Sequence, residues 1–218
     1  METRFDEEVK IPVGKVIVEG ELYIPSQSEA IVIFSHGSGS SRFSKRNQAV
    51  AKHLQQKNFG TLLFDLLTQQ EDNYYHNRFN IELLTQRLAG ATEWLERFPA
   101  AKNCRIGYFG ASTGAASALK AASWLPSIKA VVSRGGRPDL AADALQKVEA
   151  PTLLIVGGLD YEVLKLNQLA YSKLNCIKKI DVVGGATHLF EEQGKMEIVA
   201  ELAAGWFEKY LEPTAIYS

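Results

Sequence analysis

The feature that most constrains this chain is a regular alternation of short apolar runs with longer amphipathic segments. Ala30 to Ser35 is a continuous apolar run, the pattern of a strand that is buried on both faces of a sheet. Ile81 to Phe98 instead spaces its apolar residues three or four apart, which is typical of a helix. Strands and helices of these lengths in alternation favour βαβ crossovers and a parallel sheet with helices on both faces. The alternation therefore predicts an α/β protein.

The same reading along the chain predicts about eight strands and about six helices. The predicted strands are Val9 to Val13, Lys15 to Ile24, Ala30 to Ser35, Thr61 to Phe64, Arg105 to Phe109, Ile128 to Ser133, Thr152 to Val156 and Ile177 to Val183. The predicted helices are Phe43 to Lys57, Ile81 to Phe98, Ser112 to Ser123, Leu140 to Val148, Tyr161 to Leu174 and Lys195 to Leu211. Thr68 to Asn80 is polar with interleaved aromatic residues and is predicted to be a long loop, either functional or simply solvated. No internal repeat or linker is visible, so residues 1–218 are expected to form one domain.

Charge and cysteine content narrow the class of protein. With 24 basic and 25 acidic residues the formal net charge is −1, which gives no electrostatic reason to expect a nucleic-acid or membrane partner. Cys104 and Cys176 lie in no CxxC or Cys/His cluster, so free thiols and no metal site are expected. The polar amino terminus and the lack of a run of ~20 apolar residues favour a cytoplasmic protein without a membrane span. A homodimer is left open.

A candidate nucleophile lies in the stretch Gly110-Ala-Ser-Thr-Gly114, which matches G-x-S-x-G. The pattern alone is weak, but it stands between a predicted strand and an alanine-rich predicted helix, where a nucleophile elbow belongs. Such a turn holds its serine at positive φ and needs small neighbours, because strand and helix approach closely. Ser112 is therefore the predicted nucleophile, and the alternative is a glycine-rich turn without chemistry.

A serine hydroxyl needs a neighbouring base, and His188 is the best placed of the four histidines. It follows the last predicted strand, at the carboxyl edge of the sheet where ligands collect. Asp160 follows the preceding buried strand after a Gly-Gly turn and would hold the imidazole in its working tautomer. Two alternatives remain open: Asp160 as a helix N-cap, and Asp139 as the acid.

The loop Ser35-His-Gly-Ser-Gly-Ser-Ser41 follows the strand before the first long helix. An oxyanion hole takes one amide from the residue after the nucleophile, here Thr113, and another from this loop, for which Ser38 is the first choice and Gly39 the second. His36 of the same loop is a candidate substrate contact. The loop is also of the kind that cradles phosphate at a helix N-terminus, although it lacks the lysine of a P-loop.

Four further residues are candidate substrate contacts. Arg134 and Arg137 follow a predicted strand on the active-site side, and a guanidinium binds carboxylate or phosphate bidentately. A structural salt bridge, for example to Asp139, is the equal alternative. Tyr74 and Tyr75 of the polar segment would overhang the pocket.

These motifs resemble those of the α/β-hydrolase superfamily, and the layout is similar to its dienelactone hydrolase branch. The likeness is carried by Phe34 to Ser41, Gly107 to Gly114, Pro151 to Asp160 and Ala186 to His188, and it spans about Val13 to Leu211. The chain also resembles hydrolase domains that are fused to phosphoribosyltransferase domains, in Leu63 to Thr68 and Val132 to Leu140. The resemblance implies an α/β-hydrolase fold without a large cap domain. Dienelactone hydrolases typically carry a cysteine nucleophile, whereas this chain has Ser112, which favours serine-esterase chemistry over lactone specificity.

The expected function is thus a serine hydrolase that acts on a small-molecule ester or lactone through Ser112, His188 and Asp160, without a cofactor. The alternatives are C–C bond hydrolysis or acyl transfer by the same residues, and a non-catalytic binding protein on this fold.

Overall fold

The computed structural model describes residues 2–211. Its strands are β1 (Thr3–Val13), β2 (Val16–Pro25), β3 (Ala30–Ser35), β4 (Gly60–Phe64), β5 (Arg105–Ala111), β6 (Ile128–Arg134), β7 (Thr152–Gly157) and β8 (Lys178–Val183). Its helices are α1 (Lys45–Gln56), α2 (Gln69–Asp72), α3 (Ile81–Arg97), α4 (Thr113–Ala122), α5 (Tyr161–Lys173) and α6 (Lys195–Leu211). None of these helices is long and apolar enough to cross a membrane.

All eight strands form one sheet in the order β1-β2-β4-β3-β5-β6-β7-β8. β1 pairs with β2, and β2 with β4, in antiparallel fashion, and every other neighbouring pair is parallel. β3 and β7 are buried along their whole length, as their unbroken apolar runs predict. This is the α/β-hydrolase fold expected from the sequence, and the described residues contain no large cap domain.

Two layers of helices cover the sheet. α1 and α6 pack together on one face, where Val50, Leu54 and Phe207 join one apolar core. α3, α4 and α5 cover the other face, with Leu88 and Leu119 in the second core. The parallel strands β3 to β8 therefore end along one edge, and the loops that follow them carry the candidate site.

Two expectations about local structure were wrong. Leu140 to Val148 forms no α-helix but two short 3₁₀ turns, Pro138–Ala141 and Leu145–Lys147. Its amides donate to carbonyl oxygens three residues back, as from Ala144 to Ala141 and from Lys147 to Ala144, which is the 3₁₀ pattern. The predicted loop Thr68 to Asn80 contains α2 and a 3₁₀ helix at Tyr75–Phe79. A capping box between Thr68 and Glu71 starts α2, a signal that the sequence carried in Thr-x-x-Glu.

Candidate active site

The turn between β5 and α4 holds Ser112 in a strained conformation, with φ 51° and ψ −120°. Non-glycine residues rarely adopt positive φ, and where they do the surroundings must enforce it. Close packing enforces it here. A Cβ at Gly114 would lie 2.1 Å from the carbonyl oxygen of Ser35, and one at Gly110 would lie 2.5 Å from the Cα of Ala115. Both positions therefore require glycine, as the elbow pattern predicts.

The backbone of Ser112 is fixed, while its side chain is free. Its amide donates to the carbonyl oxygen of Arg134 at 3.2 Å, and its carbonyl oxygen accepts from the amide of Arg137 at 3.1 Å. Its hydroxyl has no hydrogen-bond partner within residues 2–211. The turn thus presents a half-buried, unpaired hydroxyl at the carboxyl edge of the sheet.

His188 and Asp160 are hydrogen-bonded to each other. Nδ1 of His188 lies 2.6 Å from Oδ2 of Asp160, whose side chain is 14% exposed. Asp160 occupies the N-cap position of α5 but makes no side-chain capping bond, so its carboxylate serves the histidine rather than the helix. Gly157 permits this approach, because a Cβ there would lie 2.5 Å from the carbonyl oxygen of Ala186.

The glycine turn after β6 contacts both the candidate nucleophile, Ser112, and the candidate base, His188. A Cβ at Gly135 would lie 3.5 Å from both Cε1 and Nδ1 of His188, so the imidazole packs against this backbone. The neighbouring residues Arg134 and Arg137 are the ones that bind the backbone of Ser112. Ser112 and His188 therefore flank one short turn. In the described part of the chain Nε2 of His188 has no hydrogen-bond partner.

The competing acid is engaged elsewhere. Asp139 accepts two hydrogen bonds from Arg137, Nε to Oδ1 at 2.9 Å and Nη2 to Oδ2 at 2.7 Å. This bidentate pair removes Asp139 as partner of the histidine. The salt bridge between Arg137 and Asp139 that the sequence allowed is thus present, and a substrate contact by the remaining Nη1 of Arg137 stays a prediction.

The loop that carries His188 has supports that sequence reasoning missed. Oε1 of Glu192 accepts from both the amide (3.1 Å) and the hydroxyl (2.6 Å) of Thr187, and the pKa of Glu192 is lowered chiefly by that hydroxyl bond. Arg46 of α1 binds Glu191 at 2.7 Å. Both glutamates look like ordinary surface residues in the sequence, and only the folded loop shows what they hold.

The loop after β3 departs from expectation at His36. Its side chain is 8% exposed, Nε2 accepts from the amide of Leu66 at 3.1 Å, and Nδ1 faces the carbonyl oxygen of Gly37 at 3.0 Å. Burial lowers the pKa of His36, so the ring is held neutral. The expected substrate contact by His36 is therefore corrected: Nε2 joins this loop to Leu66 after β4, and Nδ1 is engaged within the loop itself, at Gly37.

The expectation for Ser38 also needs correction. Its amide is not free, because it donates to Oγ1 of Thr113 at 2.8 Å. Thr113 is the first residue of α4, and its own amide has no partner among residues 2–211, as expected in the first turn of a helix. Of the two predicted oxyanion donors, the amide of Thr113 is free, and the amide of Ser38 is bound to the side chain of Thr113.

Among residues 2–211, no carboxylate forms an ion pair with Arg134, another of the candidate substrate contacts. It is 4% exposed, and burial, helped by the nearby Arg46, lowers its pKa to about 10. Its Nη2 lies 3.5 Å from Oδ1 of Asn47, and its guanidinium lies 5.9 Å from the ring centroid of Phe190.

The segment from Thr68 to Asn80 lies beside the loop after β3. Arg78 forms a bidentate pair with Asp72, and its Nη1 would lie 3.9 Å from a Cβ at Gly39. Tyr74 and Tyr75 are 63% and 71% exposed, and their rings lie 6.0 Å from that of His76 and 5.1 Å from that of Phe79, between centroids. That these two tyrosines overhang the substrate pocket of Ser112 stays a prediction. Within residues 2–211 no group of three His, Cys, Asp or Glu residues could hold a metal ion.

An eight-stranded sheet of this order, with a strained serine after β5 and a histidine after β8, defines an α/β-hydrolase. Residues 18–212 match the model of the dienelactone hydrolase family, and the chain belongs to that family.

The solved structures that resemble this chain agree with this placement, whereas the curated relatives carry the name of a different activity. A dienelactone hydrolase from Anabaena variabilis is 49% identical and superposes with a TM-score of 0.95, with 97% of this chain and 100% of that chain covered. An esterase from Pyrococcus furiosus is 18% identical, with a TM-score of 0.82 and coverage of 95% and 92%, and shares the fold. Two Mycobacterium tuberculosis proteins named "Putative phosphoribosyl transferase" are 54% identical over 207 residues, which is 94% of this chain. The chain spans only 47% of the length of those relatives.

Proposed function

We propose that this chain hydrolyses a carboxylic ester of a small molecule through an acyl-enzyme on Ser112. The observation that carries the proposal is the 2.6 Å bond between His188 Nδ1 and Asp160, which leaves Nε2 unpaired. The imidazole packs against the same short turn that holds the backbone of Ser112, whose hydroxyl is free. A carboxylate on Nδ1 fixes the tautomer whose Nε2 accepts a proton, which is what a base for serine requires.

The reaction would proceed in two steps. Nε2 of His188 takes the hydroxyl proton as Oγ of Ser112 attacks the ester carbonyl, and the imidazolium then gives that proton to the leaving alkoxide. Water next attacks the acyl-serine, with His188 again as base, and releases the acid and free Ser112. Asp160 stays ionised throughout and stabilises the imidazolium.

The oxyanion of each tetrahedral intermediate needs two donors, and Thr113 can supply both. Its amide is free at the start of α4, where the helix dipole also favours negative charge. Its hydroxyl oxygen already accepts the amide of Ser38, so the hydroxyl proton is available to donate towards the oxyanion. The amide of Ser38 would then act through the hydroxyl rather than directly.

The name of the Mycobacterium tuberculosis relatives does not decide the chemistry of this chain, since more than half of each relative lies outside the match. The residues gathered here are those of acyl transfer. We therefore assign ester hydrolysis to this chain and leave phosphoribosyl transfer to those relatives.

Labelling with a fluorophosphonate probe tests the proposal. The wild-type protein is expected to gain one covalent label, Ser112→Ala to gain none, and Ser172→Ala, which alters an exposed serine of α5, to be labelled like the wild type. Hydrolysis of a series of p-nitrophenyl esters should disappear in Ser112→Ala alone. Labelling that persists in Ser112→Ala would remove Ser112 as the nucleophile.

A further inference from the structure

β8 is an edge strand, and the candidate active site makes no use of its outer side. Among residues 2–211, β8 pairs with β7 alone, and no strand lies beyond it. Such an edge presents a row of unpaired backbone N–H and C=O groups, which is a template for another strand. Ile177 and Val182 add apolar surface to it, because their side chains are 60% and 50% exposed. The outer side of β8 is therefore a candidate interaction surface.

The hydrogen bonds to β7 show which backbone groups of β8 point outward. The carbonyl oxygens of Ile177 and Val183 accept from amides of β7 and of the residue that follows it. In a parallel pair, residues that bind the neighbouring strand alternate with residues whose N–H and C=O both point away from it. The residues whose backbone groups face the free edge are therefore Lys178, Ile180 and Val182.

One twofold pairing of two β8 strands uses all of these outward groups. A twofold axis perpendicular to the sheet makes the two strands antiparallel. An axis through Ile180 places Ile180 opposite its own copy and Lys178 opposite Val182, and each of these pairs exchanges both of its N–H···O bonds. An axis through Lys179 or Asp181 would instead set Val182 or Lys178 opposite a residue outside β8.

The same register also matches the side-chain charges. The axis through Ile180 places Lys179 of each copy opposite Asp181 of the other, at pairs without backbone hydrogen bonds, where side chains approach most closely. The two shifted axes would set Lys179 opposite Lys179 or Asp181 opposite Asp181. Within one copy, Nζ of Lys179 lies 2.9 Å from Oδ2 of Asp181, so both side chains already lie on one face of the sheet. Charge and hydrogen bonding thus select the same register.

A lysine on an edge strand commonly prevents such pairing. Lys178 does not act in this way, because its Nζ donates to the carbonyl oxygens of Tyr171 and Leu174 at the end of α5. Its charge is held there, and its methylene stem is available to pack against Val182 of the second copy.

We propose that two copies of this chain associate through antiparallel pairing of their β8 strands, about a twofold axis at Ile180, so that the two sheets become one continuous sheet. Because the paired strands are antiparallel, the carboxyl edges of the two halves lie at opposite ends, and each candidate active site stays accessible. The dimer does not depend on the proposed ester hydrolysis.

Charge reversal tests the register. Sedimentation of the full chain at about 1 to 100 μM should show a wild-type dimer. Asp181→Lys or Lys179→Asp alone should raise the dissociation constant by about 10- to 100-fold, because like charges then stand opposite each other. An equimolar mixture of the two variants should form a heterodimer, which also shows that both are folded. Asp6→Lys, on the opposite edge strand β1, is the control and should dimerise like the wild type.

Amide hydrogen exchange, measured by NMR, locates the interface. The amides of Ile180 and Val182 should exchange at least about 10-fold more slowly in the wild-type dimer than in monomeric Asp181→Lys. The amide of Val183, on the side that faces β7, should be protected in both.

Several results would overturn the proposal. A wild type that stays monomeric over this range does so, as does a dimer that the β8 variants leave intact or that Asp6→Lys dissociates. A mixture of the two variants that stays monomeric rules out the pairing of Lys179 with Asp181. Slow exchange of Ile180 and Val182 in a monomer would mean that another segment of the same chain covers the edge.

Discussion

Two regions of the candidate site treat their polar atoms in opposite ways: one is the loop after β3, and the other is the turn after β5 together with the loop after β8. In the loop after β3, both ring nitrogens of His36 have protein partners and the amide of Ser38 donates to Thr113. In the turn after β5 and the loop after β8, the hydroxyl of Ser112 and Nε2 of His188 have none within the described chain. Both regions have the glycine-rich composition typical of ligand loops, yet only one of them leaves reactive atoms free.

This difference shows which region of the fold holds strained backbone and unpaired polar atoms. Phe190, like Ser112, has positive φ without being glycine, and both lie on the side of the site with free atoms. The loop after β3 is instead a satisfied scaffold that positions Thr113. Hydrogen-bond satisfaction, more than sequence motif, separates reacting residues from supporting ones.

The largest effect is expected from Asp160→Asn. An amide beside Nδ1 stabilises the wrong imidazole tautomer and cannot stabilise the imidazolium, so kcat on a p-nitrophenyl ester should fall by about 10³- to 10⁴-fold. Circular dichroism should show that the variant remains folded.

Asp139→Asn is the matched control for this change. It removes the partner of Arg137 and leaves the bond between His188 and Asp160 intact, so kcat should change by less than about threefold. If Asp139→Asn lost as much activity as Asp160→Asn, the assignment of the acid to Asp160 would have to be abandoned.

A smaller effect is expected from Thr113→Val, which removes the hydroxyl but keeps the branched shape. Loss of one oxyanion donor should lower kcat by about 10²- to 10³-fold with little change in KM, and Thr113→Ser should retain most of the activity. Thr85→Val, which changes a buried threonine of α3, is the control and should keep wild-type kcat.

The same variant also tests whether the amide of Ser38, in the loop after β3, binds the oxyanion directly. In Thr113→Val the amide of Ser38 loses its acceptor and becomes free to bind the oxyanion directly. An unchanged or higher kcat would show that this amide is the working donor and that the threonine hydroxyl obstructs it.

Periodicity and glycine spacing predicted most of the fold because they express local physics. The apolar run of β3 predicted a strand that is buried on both faces, and the structure has one. The small residues around Ser112 predicted a tight turn with positive φ at the serine, which is also present. Leu140 to Val148 had the spacing of a helix, and its apolar residues are buried at that spacing, yet the segment forms two 3₁₀ turns, so the local pattern located the buried residues but not the hydrogen bonding.

The partners within the site could not be predicted in the same way. Whether Asp160 or Asp139 serves the histidine depends on contacts between loops that are distant in sequence. Arg137 stands two residues from Asp139 and captures it, which the spacing allowed but did not require. The engagement of the Ser38 amide by Thr113 joins residues 75 positions apart, and no local pattern encodes it.

The smallest expected effect tests whether the loop after β3 is the satisfied scaffold described above. Burial lowers the pKa of His36, although Gly37, Asp65 and Asp72 act in the opposite direction. The unfolded chain therefore binds a proton near pH 6.5 that the folded chain binds only at lower pH. Stability contributed by the neutral, buried ring is present above pH 6.5 and is lost as the pH falls below it.

We therefore expect the free energy of unfolding, from urea titration, to fall more steeply between pH 7.5 and pH 5.5 in the wild type than in His36→Gln. Glutamine can donate and accept at this position but does not titrate. His76→Gln, which changes an exposed histidine, should keep the wild-type dependence. Equal pH dependence in wild type and His36→Gln would mean that the ring titrates alike in both states, and the contrast between the two regions would lose its scaffold side.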